Sequence, residues 1–226
     1  MSLTRTAIIV TGGSALAPGA LLDLVPGAYV IAADSGLDHA LAGGLIPQLV
    51  VGDLDSVSEA GLQWARTHDV EIQESPPDKD FTDTELALAC ATSWGATDLI
   101  LLSGGSGLED DRLDHTIGAI TALGAASLAT CQSVTARWGH TLVQVLHGPR
   151  TVNLPVATDR TFSLLALHGP CLGVSVTGAR WPLADATIEA ASNRGVSNET
   201  LATHLRVQVN AGVLTVIFPN QFGALS

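Results

Sequence analysis

The chain alternates in its first half. Short apolar runs at residues 7–10, 29–33, 49–51 and 99–102 read as buried strands. Between them, residues 36–42, 58–68 and 82–94 carry helix signals, and a further helix is expected from about 112 to 123. Alternation of this kind predicts βαβ units and a mostly parallel sheet covered on both faces. From about Ser133 the pattern changes. Residues 161–167, 171–177 and 205–209 are β-rich, with Gly and Pro between them. Residues 205–209 and 213–218 flank Asn210-Ala211-Gly212, which reads as a hairpin. The expected architecture is an α/β domain over residues 1–145 followed by a small all-β sandwich over 146–226.

The helix at Thr82 has the clearest start. Thr82 and Glu85 form a T-x-x-E capping box, and Leu86, Cys90 and Trp94 recur every fourth residue. In the following helix, Leu113, Ile117 and Ile120 are expected to form the buried stripe, with Asp114 and His115 beside it.

Composition excludes several classes. Apolar residues make up 46% of 226 and charged residues 14%, so the chain is not disordered. No apolar run reaches the ~20 residues that span a bilayer. Residues 1–10 hold one Arg and a brief apolar run, which does not read as a secretory signal. The three cysteines, Cys90, Cys131 and Cys171, are widely spaced, which fits a reducing, cytoplasmic setting. No Cys or His pair has zinc spacing.

The net charge is −12, and it is concentrated. Residues 34–114 hold 17 acids against Arg66, Lys79 and Arg112; the remainder holds 5 acids against 7 Arg. A nucleic-acid binder needs a basic face, so that class is excluded.

The acids fall where strands end, and ligands of open α/β sheets bind outside the carboxyl ends of strands. Residues 29–33 run into Asp34-Ser35-Gly36, 49–51 into Gly52-Asp53-Leu54-Asp55-Ser56, and 99–102 into Ser103-Gly104-Gly105. Asp80 and Asp83 precede a helix. Asp53 and Asp55 point the same way in extended chain, and Asp80 and Asp83 share one side of a helix start. Convergence of these four makes a site for an oxygen-liganded cation, Mg²⁺ or Mn²⁺. The plainer readings are a turn for Asp53 and Asp55 and a helix-dipole contact for Asp80 and Asp83. Lys79, the only lysine, either balances these acids or meets a phosphate oxygen. Arg112 either grips a phosphate or bridges neighbouring carboxylates. Together these residues suggest metal–polyphosphate chemistry.

Three blocks carry a resemblance: Gly52-Asp53-Leu54-Asp55-Ser56, the stretch from Pro77 to Glu85 with Lys79-Asp80-Phe81-Thr82-Asp83, and Arg112-Leu113-Asp114-His115-Thr116. In order and spacing they resemble the signature blocks of the thiamine pyrophosphokinase family, and residues 34–41 resemble that family's earlier Asp-Gly-Gly block. Gly178-Ala179-Arg180-Trp181-Pro182-Leu183 and Val196-Ser197-Asn198-Glu199 resemble its thiamine-side β-domain. The resemblance implies transfer of the diphosphate of ATP to the hydroxyl of thiamine, with Mg²⁺, in a homodimer with sites at the subunit interface. Under it, Asp53, Asp55, Asp80 and Asp83 are the expected metal ligands, and Lys79, Arg112 and Asp114 the catalytic residues. Asp34, Ser35, Gly36, Ser103, Gly104 and His115 are expected on the nucleotide. Ser197 and Asn198 are expected on thiamine, with Trp181 structural. The chain departs from the family pattern at Asp110-Asp111, where Gly-Gly is usual, and at Ser35. The alternatives are a pyrophosphokinase for a hydroxymethyl-pterin and a non-catalytic nucleotide or thiamine sensor.

Overall fold

The computed structural model describes residues 4–76, 78–105 and 112–222. The Asp110-Asp111 departure lies outside them. The first half consists of β1 (Thr6–Val10), β2 (Tyr29–Ala33), α1 (Gly36–Ala42), β3 (Leu49–Gly52), α2 (Glu59–Thr67), β4 (Glu71–Glu74), α3 (Asp83–Trp94), β5 (Asp98–Ser103), α4 (Leu113–Ala122) and β6 (Ser133–Trp138). All six of these strands are parallel, in the order β4-β3-β2-β1-β5-β6. Each strand's side chains alternate between two cores. Ile9, Ile31 and Val51 meet Ala87, Leu88 and Ala91 of α3, while Val10, Val50 and Ala32 face the side of α1 and α2. The runs are apolar throughout because both faces are covered. The sequence reading does not include β4: its residues, Glu-Ile-Gln-Glu, are mostly exposed at the sheet edge, held by pairing with β3 and by Ile72 packing beside Val50 and Val57.

The second half adds β7 (Thr141–His147), β8 (Arg150–Pro155), β9 (Thr161–Leu165), β10 (Cys171–Thr177), β11 (Leu183–Ile188), β12 (Gly195–Glu199), β13 (His204–Val209) and β14 (Val213–Phe218). β7, β14, β9 and β12 continue the first sheet in antiparallel fashion, making ten strands in all. β11-β10-β13-β8 form a second sheet packed against them. The expected hairpin does not form. β13 pairs with β8 and β10, whereas β14 pairs with β7 and β9. Leu205, Val207 and Val209 face Leu214, Val216 and Phe218 in one sandwich core, all buried. Burying both apolar faces against each other outweighs the local turn signal, so residues 210–212 carry the chain between sheets.

β7 serves both halves. Val143 and Val145 enter the core under α3, while Leu142 and Leu146 enter the sandwich core. A boundary near residue 145 therefore falls inside a shared strand. Two histidines of the second half also hold the end of α4: His147 Nε2 donates to the Leu123 carbonyl at 3.1 Å and His168 Nε2 to Thr121 at 3.0 Å. The three cysteines are free, and burial pushes the Cys171 thiol up to about 11. No helix among the described residues is long and apolar enough to cross a membrane.

Two expected helix faces are corrected. α3 does begin with a complete capping box, but its buried residues are Ala87, Leu88 and Ala91, with Leu86 and Cys90 at the margin. In α4 the buried residue is Ala119; Leu113 and Ile117 are 69% and 56% exposed. Alanines at 87, 91 and 119 let these helices sit close to the sheet, with Leu88 the one large buried side chain of α3.

Candidate active site

The strand order reverses beside β1, between β2 and β5. At such a point the loops leaving neighbouring strands part and leave a crevice at their carboxyl ends. A cleft of about 510 Å³ lies there. Thr11-Gly12-Gly13 after β1, Asp34-Ser35 after β2, Asp53 after β3 and Ser103-Gly104 after β5 line it. From the helices come Lys79, Thr82 and Asp83 ahead of and at the start of α3, and Arg112, His115 and Thr116 at the start of α4. The chain passes close to itself here: a Cβ on Gly104 would lie 1.6 Å from the Ser14 carbonyl oxygen.

Carboxylate oxygens of Asp34, Asp53 and Asp83 lie within 4.8 Å of one another. These three come from three different elements. Asp34 leaves β2 in a left-handed conformation, φ +50, and its Oδ2 accepts the Ser56 hydroxyl. Its Oδ1 is buried without a hydrogen-bond donor among the described residues. Asp83 is the first residue of α3, where the helix dipole favours a negative charge. Its Oδ1 meets Lys79 Nζ at 2.7 Å, and Lys79 also donates to Ser75 Oγ at 2.8 Å. Gly52, at φ +144, borders the cluster: a Cβ there would stand 3.1 Å from Asp83 Oδ1 and 3.2 Å from Asp34 Cβ. The space is kept open by the absence of a side chain.

One lysine does not balance three carboxylates. At an effective dielectric of about 20, each like-charged pair at ~5 Å costs about 3 kcal/mol before solvent screening. A divalent cation reverses the sign of that interaction. The donor set is all oxygen, one buried oxygen lacks a donor, and the space is open, so these residues fit such an ion.

The trio overlaps the ligand set expected from sequence at Asp53 and Asp83 and differs from it elsewhere. Asp34, read as a nucleotide residue, stands in the trio. Asp80 is exposed and outside it. Asp55 is exposed and outside the trio, with Leu54 before it at φ +64, yet its carboxyl still feels the charges of Asp53, Asp34 and Asp83. Asp53 remains near enough to be the main cause holding the Asp55 carboxyl above its usual range.

Arg112 lines the cleft and Asp114 does not. Arg112 donates to both Asp114 oxygens, Nε at 3.2 Å and Nη2 at 2.5 Å. This pairing holds the Asp114 carboxyl below the usual carboxylate range and the guanidinium above its own. Gly36, expected on the nucleotide, is buried and does not line the cleft. A Cβ there would lie 2.1 Å from the Val10 carbonyl oxygen, so Gly36 lets α1 start against β1. Ser35, Ser103, Gly104 and His115 line the cleft, as do Thr11, Phe81 and Trp138, which the sequence reading missed. Thr11-Gly12-Gly13 follows an apolar run directly, and that placement was the available signal.

Two family models match the chain. Thiamin pyrophosphokinase, catalytic domain, covers residues 24–135, and thiamin pyrophosphokinase, vitamin B1 binding domain, covers residues 149–214. The chain belongs to the thiamine pyrophosphokinase family. Its activity is that of a thiamine diphosphokinase, a transferase that makes thiamine diphosphate. The two matched stretches bracket β7, the strand both cores share. A comparison with curated protein sequences finds no match. Among solved structures, thiamine pyrophosphokinase from Bacillus subtilis is 23% identical with a TM-score of 0.78, over 96% of this chain and 99% of that one. The Geobacillus thermodenitrificans protein is 23% identical with a TM-score of 0.77, over 95% and 97%. Yeast thiamin pyrophosphokinase is 15% identical with a TM-score of 0.74, over 98% and 88%. These likenesses establish the fold.

The vitamin-side residues lie apart from the cleft. Neither Ser197 nor Asn198 lines it. Asn198 is buried, and its side chain is committed within the chain. Its Oδ1 accepts from the N–H groups of Trp181 and Glu199 at 3.1 and 2.8 Å, and its Nδ2 donates to the Trp181 carbonyl at 2.8 Å. Trp181 is not the core residue expected: it is 55% exposed, with the Arg180 guanidinium 5.5 Å from its ring. Ser197, next to Asn198 in sequence, is exposed at φ +60. Asn198 thus fixes the backbone that presents Trp181.

Proposed function

We propose that the cleft binds ATP with Mg²⁺, or Mn²⁺ in its place, and that Asp34, Asp53 and Asp83 hold the cation. The observation that carries this reading is the trio itself, three carboxylates crowded around an opening that a single lysine faces. A cation held by these three carboxylates would offset phosphate charge. Lys79 supplies a compact charge and Arg112 a planar fork, aimed by Asp114, to phosphate oxygens as charge moves onto the leaving AMP. The Thr11–Gly13 and Ser103-Gly104 loops let the backbone approach the nucleotide. The hydroxyethyl oxygen of thiamine attacks the β-phosphorus in line, and little is asked of a base when the transition state is loose. An acidic rim also suits the cationic thiazolium ring.

The thiamine face belongs to a second copy of the chain. Leu113, Ile117 and Phe81 stand exposed at or near the cleft, and Trp181, Val196 and Leu201 stand exposed on the second half. Apposition of these two apolar patches in a two-fold dimer covers both and brings Trp181 and Ser197 of one copy toward the carboxylates of the other. Trp181 then offers a flat face to the aminopyrimidine.

The test is product analysis. The purified chain is incubated with Mg-ATP and thiamine, with a parallel tube holding a hydroxymethyl-pterin. Chromatography is expected to give equimolar AMP and thiamine diphosphate. ADP with thiamine monophosphate, or AMP only with the pterin, overturns the reading.

A further inference from the structure

Two adjacent residues of α1, Asp38 and His39, do not line the cleft, yet each bonds to a segment that places a loop lining it. Asp38 Oδ2 accepts from the Ser58 backbone N–H at 2.8 Å, and Asp38 Oδ1 accepts from the Ser58 hydroxyl at 2.5 Å. Ser58 Oγ in turn accepts from the Gly61 N–H at 3.0 Å, as the N-cap of α2. The fit is close, for a Cβ on Gly61 would come 2.4 Å from Asp38 Oδ1. At the other end of the loop, Gly52 is held in β3 opposite Glu74, and its carbonyl accepts from the Ser75 N–H at 2.8 Å. Residues 53–57 span these two anchors. They include Asp53, the left-handed Leu54 and the Ser56 that bonds Asp34. Releasing one anchor of so short a loop returns conformational freedom to Asp53 directly. His39 acts on the opposite flank: its Nε2 donates to the Gly13 carbonyl at 2.8 Å, and Gly12 and Gly13 line the cleft after β1.

We infer that Asp38 is a positioning residue for the cation site, holding the loop of Asp53 against Asp34 and Asp83 through Ser58, and that His39 positions the nucleotide-side loop in the same way. The inference rests on reading the trio as the cation site. Both Asp38 oxygens accept from Ser58; an amide keeps the acceptor for the Ser58 N–H and can only donate to the Ser58 hydroxyl, so it preserves the link in part. Bonds made directly to a ligand are typically worth about 10–100-fold in metal affinity, and Asp38, which acts one link further out, belongs at the lower end of that range.

The experiment is Mn²⁺ binding to the full chain without nucleotide, read from the paramagnetic resonance of the free ion, beside a thermal melt of each variant. Asp38→Ala is expected to weaken Mn²⁺ binding about tenfold or more, and Asp38→Asn by less. His39→Ala is expected to leave Mn²⁺ affinity within about twofold while raising the KM for ATP. A role confined to capping α2 would lower the melting midpoint of Asp38→Ala and leave its Mn²⁺ affinity at the wild-type value, and that result overturns the inference. If Asp38→Ala does not fold, Asp38→Asn decides on the same criterion. Absence of Mn²⁺ binding by the wild type contradicts the cation reading itself; wild-type binding with unchanged variants contradicts only the role of Asp38.

Discussion

The two halves of the molecule treat their buried polar groups differently. In the antiparallel half, Asn198 is buried and makes three hydrogen bonds to backbone, and the buried Thr200 hydroxyl donates to Ala157 at 2.6 Å. At the rim of the parallel half, Asp34 Oδ1 has no donor among the described residues and three carboxylates crowd one opening. Among the described residues the antiparallel half leaves the Thr215 hydroxyl and His168 Nδ1 unpartnered, but neither is a carboxylate, and a hydroxyl is far cheaper to bury than a charge. A polar group whose bonds are complete builds architecture. A charged group left incomplete waits for a ligand. By that criterion the reaction belongs to the rim, and the sandwich presents a surface to the acceptor.

The largest effect should come from breaking the rim. Asp53→Asn or Asp83→Asn is expected to lower turnover about a thousandfold, roughly 4 kcal/mol of transition-state stabilisation, with the circular dichroism spectrum unchanged. Near-normal turnover at saturating Mg²⁺ would remove these residues from the cation site. Gly52→Ala comes next. The new Cβ meets Asp83 and Asp34 and imposes a backbone strain of about 1–3 kcal/mol, so both the melting midpoint and cation affinity should fall.

Breaking the other surface should look different. Trp181→Ala is expected to raise the KM for thiamine about tenfold, near 1.4 kcal/mol, with the KM for ATP unchanged. An equal rise for both substrates would place Trp181 in the fold rather than on the acceptor. The smallest effect is at Asp55. Its carboxyl is held above the usual range mainly by Asp53, so the folded state binds that proton more tightly than the unfolded chain. The stability this contributes is complete below the unfolded value near 4 and is lost as pH rises through the raised folded value. At pH 7, without divalent cation, Asp55→Asn should therefore melt slightly higher than wild type. The difference should disappear at pH below about 4; a variant that melts lower at pH 7 contradicts the repulsion.

Much of the parallel half was legible because its constraints are local. Apolar runs covered on both faces announce strands, and Thr82 and Glu85 announce the helix that presents Asp83. The trio was only half legible, since Asp34 and Asp53 follow different strands and meet through sheet order, which no spacing encodes. Leu54 sits in the left-handed region between Asp53 and Asp55, and a β-propensity reading has no signal for that. In the antiparallel half, residues 205–218 matched a hairpin locally and yet joined two sheets, because the sandwich core buries both strands face to face. Leu113 and Ile117 of α4 carry helical periodicity without burial; periodicity shows that a face is apolar but not what covers it.

The division of labour between the halves is tested most directly by mixing subunits. Asp53→Asn and Trp181→Ala chains are each expected to be nearly inactive at low thiamine. Denatured together and refolded, half of the dimers are mixed, and each mixed dimer has one site with both wild-type surfaces. Turnover should recover to about a quarter of the wild-type value. Recovery to no more than the average of the two parents, with mixed dimers demonstrated by mass spectrometry, would contradict a site shared between the rim of one chain and the sandwich of its partner.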